Sequence, residues 1–134
     1  MIEAGVQGLT PTIGKEVEEM ELDNYTPFTE ELVEEWGVQT SGTGKAAYIF
    51  NEPSGTYDIR ITYFDEKDGK SRITLLIAGE ERAAFELDED TDCWRWRTFK
   101  NIQVNKGDEI TLVGKADQKE KVKLDYIEFV RHVD

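Results

Sequence analysis

From residue 45 onward, apolar and polar residues alternate with a period of two. The clearest run is Thr56 to Phe64, where Tyr57, Ile59, Ile61 and Tyr63 fall on one face and Asp58, Arg60 and Thr62 on the other. That spacing predicts a strand with one buried face, because successive strand side chains point to opposite sides of a sheet. Similar runs cover Arg72 to Ala78, Arg82 to Leu87, Trp94 to Val104, Glu109 to Val113 and Val122 to Val130. The turn signals Asp68-Gly69, Gly79-Glu80 and Lys106-Gly107-Asp108 separate them. Short strands at regular spacing, with no alternation of strand and helix, predict an all-β antiparallel β-sandwich.

One stretch reads differently. Phe28, Leu32 and Trp36 recur every four residues, and Thr29 is placed to cap a first turn. This fits a short helix over Pro27 to Trp36, or a loop whose apolar residues plug one end of the sandwich. A chain of 134 residues is long enough for one sizeable core. The expected organisation is a linker over residues 1–15 and one domain over residues 16–134, since Met1 to Gly14 lacks the basic start and apolar middle of a signal peptide.

Composition narrows the partners. Twenty-nine acidic residues against 16 basic ones give a formal charge of -13, and such a surface repels phosphate backbones, so nucleic acid is not an expected partner. No apolar run approaches the roughly 18 residues of a membrane span, and no membrane partner is expected. A single cysteine, Cys93, allows no disulfide within the chain. Abundant carboxylates suit hard cations and make calcium the first cofactor to consider, a merely soluble acidic surface being the alternative. Glu86 to Asp92 is a second acid-rich segment; it lacks the glycine and terminal glutamate of an EF-hand loop and reads as a solvated loop or a second cation site.

Several segments, taken in order, resemble carbohydrate-binding modules of families 6 and 35. Glu18 to Tyr25 is similar to the opening strand, with two acids flanking an apolar residue; Ser54 to Tyr63 is similar to the Gly-Thr-Tyr strand; Leu124-Asp125-Tyr126-Ile127-Glu128-Phe129 is similar to the closing strand. Trp96-Arg97-Thr98, followed by Val104 to Leu112, is similar to the tryptophan strand and its glycine turn. Together they cover nearly everything from Glu18 to Val130. The resemblance implies a galactose-binding-like jelly roll. It also implies a non-catalytic carbohydrate-binding module within a larger polysaccharide-degrading enzyme, secreted, periplasmic or at the cell surface. An ancillary spacer or protein-docking sandwich without a sugar site is the rival reading.

The resemblance also implies sites. A structural calcium ion would be held by Glu19, Glu21 and Asp125; on a strand, the two glutamates present their carboxylates on one face while Met20 packs inward. Stacking on the sugar falls to Trp96, with Trp94 beside it, and Tyr48 or Trp36 would complete the platform. Sugar rings carry an apolar C–H face that aromatic rings cover and a polar rim that hydrogen-bonding groups read. The expected partners are a plant cell-wall polysaccharide or oligosaccharide, uronic-acid-bearing ones among the candidates, and a catalytic domain in the parent chain. Lys123 stands where these families often place an asparagine that binds the sugar. Its ammonium would donate to hydroxyls or pair with a uronate, and Arg95 or Arg97 would serve in the same way.

An active site is not expected. A glycosidase needs two carboxylates roughly 5 to 9.5 Å apart across a bond, and the acids here are spread along turns and solvent faces. The lone His132 lies at the C-terminal end, where a Ser-His-Asp or Cys-His arrangement would rest on frayed chain.

Overall fold

In the computed structural model, residues 12–30, 33–65, 70–87, 93–117 and 122–132 are described. They form two antiparallel sheets packed face to face, as the alternation predicts. The strands are β1 (Thr12–Glu16), β2 (Glu21–Asp23), β3 (Thr26–Glu30), β4 (Val33–Thr40), β5 (Thr43–Ile49), β6 (Gly55–Asp65), β7 (Ser71–Ile77), β8 (Glu80–Leu87), β9 (Cys93–Val104), β10 (Glu109–Lys115) and β11 (Val122–Arg131). One sheet runs β9-β6-β11-β4-β3, with β1 also paired to β11; the other runs β2-β5-β10-β7-β8.

The predicted inward residues form the core. Tyr57, Ile59, Ile61 and Tyr63 are at most 1% exposed and meet Ile73, Leu75, Ile110, Leu112, Leu124, Ile127 and Phe129 between the sheets. Phe50 packs edge-on against Tyr57, with centroids 5.3 Å apart, and tilted against Phe129 at 4.9 Å, an arrangement that aromatic quadrupoles favour. Ala78 and Gly79 both have positive φ, as a tight hairpin turn between β7 and β8 requires.

Two local expectations are corrected. Pro27 to Trp36 is not helical where it is described: β3 and β4 pair as antiparallel neighbours, Phe28 with Gly37 and Thr29 with Trp36. The backbone amides of these strands bond across to each other instead of along a helix, so tertiary pairing overrides the four-residue spacing. The opening segment is also not one strand. β1 lies on β11 in the first sheet, Val17–Glu19 makes a 3₁₀ turn, and β2 lies on β5 in the second sheet. Val17 and Met20 are buried at this corner. The first strand among the described residues is Thr12–Glu16.

β11 organises the first sheet. On one side it pairs with β6; on the other it pairs first with β4, over Val122 to Leu124, and then with β1, from Tyr126 to Val130. Asp125 falls in the gap between these two half-partners. It is also the extra residue of a bulge against β6, where Leu124 faces Tyr63 and Tyr126 faces Thr62. A bulge of this kind re-aims a side chain.

Candidate functional site

Two constellations form on the first sheet. The first is acidic and sits where β1 ends. Glu16, Glu18 and Asp125 each offer a carboxylate oxygen, and these oxygens lie within 4.8 Å of one another, all three residues half-buried. Glu16 is the last residue of β1 and faces Tyr126 across the pairing; Glu18 follows on the 3₁₀ turn; the bulge supplies Asp125. Burial is the main cause that pushes the Glu16 carboxyl above its ordinary range, with the charges of Glu18 and Glu19 adding to it and a hydrogen bond with Asp125 opposing it. The Tyr126 phenol is raised by burial and then by Glu128, Glu16, Asp125 and Glu19. Crowded carboxylates of this sort repel one another until a cation or a proton intervenes.

Of Glu19, Glu21 and Asp125, the residues expected to hold a metal, the structure brings one into this cluster. Asp125 is in the cluster, but Glu19 and Glu21 are not; both are exposed, and Glu21 lies on β2 in the opposite sheet. They instead line a groove with Met20, Ala47, Tyr48, Ile49 and Glu109. Between Glu16 and Asp23 the sequence repeats the pattern acid, apolar, acid three times: Glu16-Val17-Glu18, Glu19-Met20-Glu21 and Glu21-Leu22-Asp23. Glu16 ends the strand on the sheet that carries Asp125, Glu18 and Glu19 both belong to the turn that follows, and Glu21 begins the strand on the other sheet.

The second constellation covers the outer face of the same sheet. Residues paired directly across antiparallel strands share a face, so the register places three rows there: Trp94-Phe64-Lys123, Trp96-Thr62-Tyr126 and Thr98-Arg60-Glu128. Trp96 is 64% exposed. Trp94 is half-buried and meets Phe64 edge-on, with centroids 5.3 Å apart. The Lys123 ammonium lies 5.0 Å from the Phe64 ring centroid, and the Arg60 guanidinium lies 5.8 Å from that of Trp96. Arg60 donates to Glu128 at 2.8 Å.

Three of the five expected sugar-site residues, Trp94, Trp96 and Lys123, thus share one face. Tyr48 does not join them. It belongs to β5 in the opposite sheet, half-buried, with the Lys15 ammonium 5.5 Å from its ring centroid. Trp36 has its backbone in β4, and its side chain lies outside the described residues. Residues 88–92 of the second acidic segment also lie outside them. Arg95 and Arg97 pair with Tyr63 and Ile61, on the inward side of β9, and the Arg97 guanidinium sits 4.9 Å from the Phe85 ring centroid. They lie on the face of β9 opposite the tryptophans. His132 is tied down: its N–H donates to Thr56 O and its ring Nε2 lies 2.7 Å from Asp58 Oδ1. Arg60, Thr62, Phe64 and Glu128 were not singled out in the sequence. The alternation marked them as outward-facing, but only pairing shows that they abut Trp94 and Trp96.

No protein-family model matches the chain. It is 31% identical over 134 residues to a probable alpha-glucuronidase A of Aspergillus terreus and 27% identical over 128 residues to an alpha-glucuronidase of Hypocrea jecorina. These alignments take in 86% and 84% of this chain, but the chain spans only 16% and 15% of those relatives. Among solved structures, a CBM36 domain of a multidomain xylanase from the hindgut metagenome of Trinervitermes trinervoides superposes with a TM-score of 0.74 at 22% identity, covering 92% of this chain and 100% of that one. A family 35 module from Clostridium thermocellum gives 0.74 at 14% identity, covering 91% and 99%. A CBM36 in complex with calcium and xylotriose gives 0.66 at 21% identity, covering 87% and 98%. The fold is that of the β-sandwich carbohydrate-binding modules, as the sequence resemblance implied.

Proposed function

We propose that this chain is a non-catalytic sugar-binding domain of a larger, secreted polysaccharide-degrading enzyme, and that it binds sugar on the outer face of the first sheet. The observation that carries this reading is Trp96, a large ring 64% exposed in a sheet whose other aromatic side chains, among the described residues, are buried or half-buried. Leaving an indole in water forgoes about 1.5 to 3 kcal/mol of burial. A sugar's C–H face is a partner that recovers it, while Thr62, Lys123, Arg60 and Glu128 supply polar groups for the hydroxyls. The relatives support the setting, since the stretch of each that aligns with this chain is about a sixth of a longer polypeptide.

We also assign a calcium ion to Glu16, Glu18 and Asp125. Three carboxylates from a strand end, a turn and a bulge form a hard-oxygen donor set suited to calcium. When bound, the cation would neutralise the cluster and brace β1 against β11. A structural neighbour with the same fold is described in complex with calcium and xylotriose.

Tryptophan fluorescence during titration with xylan-, glucan- and pectin-derived oligosaccharides tests the sugar reading. Binding by the unaltered chain that Trp96→Ala weakens at least about tenfold, the scale of a lost stacking contact of roughly 1.5 kcal/mol, supports it. Unchanged affinity in Trp96→Ala rules it out. The docking alternative has one observation in its favour: Ile49 is 56% exposed on the opposite sheet, beside the groove over Ala47.

A further inference from the structure

Beside Trp96 lies an ion pair whose hydrogen-bonding capacity is only partly used. Arg60 Nε and Nη2 both reach the same oxygen of Glu128, Oε2, at 2.8 Å. A guanidinium has five N–H donors and a carboxylate about four acceptor sites. Among the described residues these two side chains hydrogen-bond only each other. Both reach the surface, their side chains 44% and 16% exposed. A molecule lying on Trp96 therefore meets donors and acceptors side by side, with the two formal charges cancelled.

We infer that the Trp96 face is a subsite for an uncharged pyranose, read by Arg60 and Glu128 as a donor and acceptor pair for neighbouring hydroxyls. The inference rests on the sugar-binding reading above and adds the class of sugar and the two residues that select it. A hydroxyl pair suits such a reader, because one hydroxyl can accept from Arg60 while the other donates to Glu128. A uronate does not suit it. Its carboxylate would compete with Glu128 for the guanidinium and would bring two negative charges together on the same strand row, a repulsion that costs affinity.

Calorimetry on the whole chain at physiological ionic strength, with xylotriose and with xylotriose carrying a glucuronate, tests this. The unaltered chain should bind the neutral sugar at least as tightly. Glu128→Gln leaves the Arg60 charge uncompensated and should shift the affinity ratio toward the uronate sugar by about three- to tenfold, the effect of one charge roughly 6 Å away at an effective dielectric of about 40 to 80. Arg60→Gln should shift it the other way. The double variant, uncharged at both positions, should return the ratio to its starting value; Glu128→Thr and Arg60→Thr, with a residue at home in a strand, should repeat the two single shifts and serve if either glutamine variant melts early. The inference is overturned if the unaltered chain prefers the uronate sugar by more than about threefold, or if both single variants leave the ratio where it was. A different result, in which Trp96→Ala binds both sugars undiminished or the unaltered chain binds neither, removes the sugar platform itself and this inference with it.

Discussion

Replacing Asp125 with asparagine should have opposite effects on stability with and without calcium. The carboxylate oxygens of Glu16, Glu18 and Asp125 lie within 4.8 Å of one another. At that separation two like charges repel by about 1 kcal/mol at the dielectric of water and by about 3.5 kcal/mol at an effective dielectric near 20. The cluster is half-buried, so relief of about 1 to 2 kcal/mol from deleting one charge is the reasonable expectation, with the amide keeping the shape and able to donate to Glu16. For a chain of this size that is about 3 to 7 °C in Tm. In excess calcium the sign turns. A ligand at about 100 times its Kd contributes roughly 2.7 kcal/mol to the folded state, and Asp125→Asn should forfeit most of that. Thermal melts of both proteins in chelator and in calcium give four Tm values, and the two pairs should cross. Parallel shifts, or an unaltered chain whose Tm ignores calcium, would refute the assignment. A further check is pH in chelator. Burial and the neighbouring acids hold the Glu16 pKa above its unfolded value of 4.5, so the fold takes up that proton first. This group's contribution should therefore favour the fold as pH falls from neutral through the raised pKa and level off below about 4.5.

Two other predictions concern the framework. A Cβ on Gly114 would lie 2.2 Å from Tyr25 Oη and 2.7 Å from Val122 Cγ1, both buried. Gly114→Ala should therefore cost about 1 to 3 kcal/mol in denaturant unfolding. Among the described residues Tyr25 Oη is buried with no hydrogen-bond partner, so Tyr25→Phe should be neutral or stabilising by about 1 kcal/mol and should rescue part of the Gly114→Ala loss, leaving the Val122 overlap. A harmless Gly114→Ala would contradict this packing. His132 and the Asn101 N–H hold the Asp58 pKa below its ordinary value of 3.8, the histidine being the larger cause. That stabilisation should be complete above pH 3.8 and lost as pH falls through the lowered pKa. An acid titration should thus show a shallower loss in His132→Ala than in the unaltered chain, and identical slopes would exclude the contact.

The amino-acid pattern by itself determined the sandwich, most of its strands from β6 onward, and which side chains face inward. That information is local: with a strand period of two, each run such as Tyr57 to Tyr63 declares its buried face without reference to any partner. The grouping of Trp96, Trp94 and Lys123, which the structure places on one face, was legible through resemblance to known modules. Pairing was not legible, because register is a relation between distant segments. Only the tertiary structure decided that the chain leaves the first sheet at Val17, so that Glu16 and Glu18 rather than Glu19 and Glu21 meet Asp125. Only the alignment of β6 and β11 set Arg60 and Glu128 beside Trp96, and only the division into two sheets removed Tyr48 from that face. Each of these depends on which strand lies next to which, and the cost of closing long loops and burying a shared core settles that over the whole chain at once.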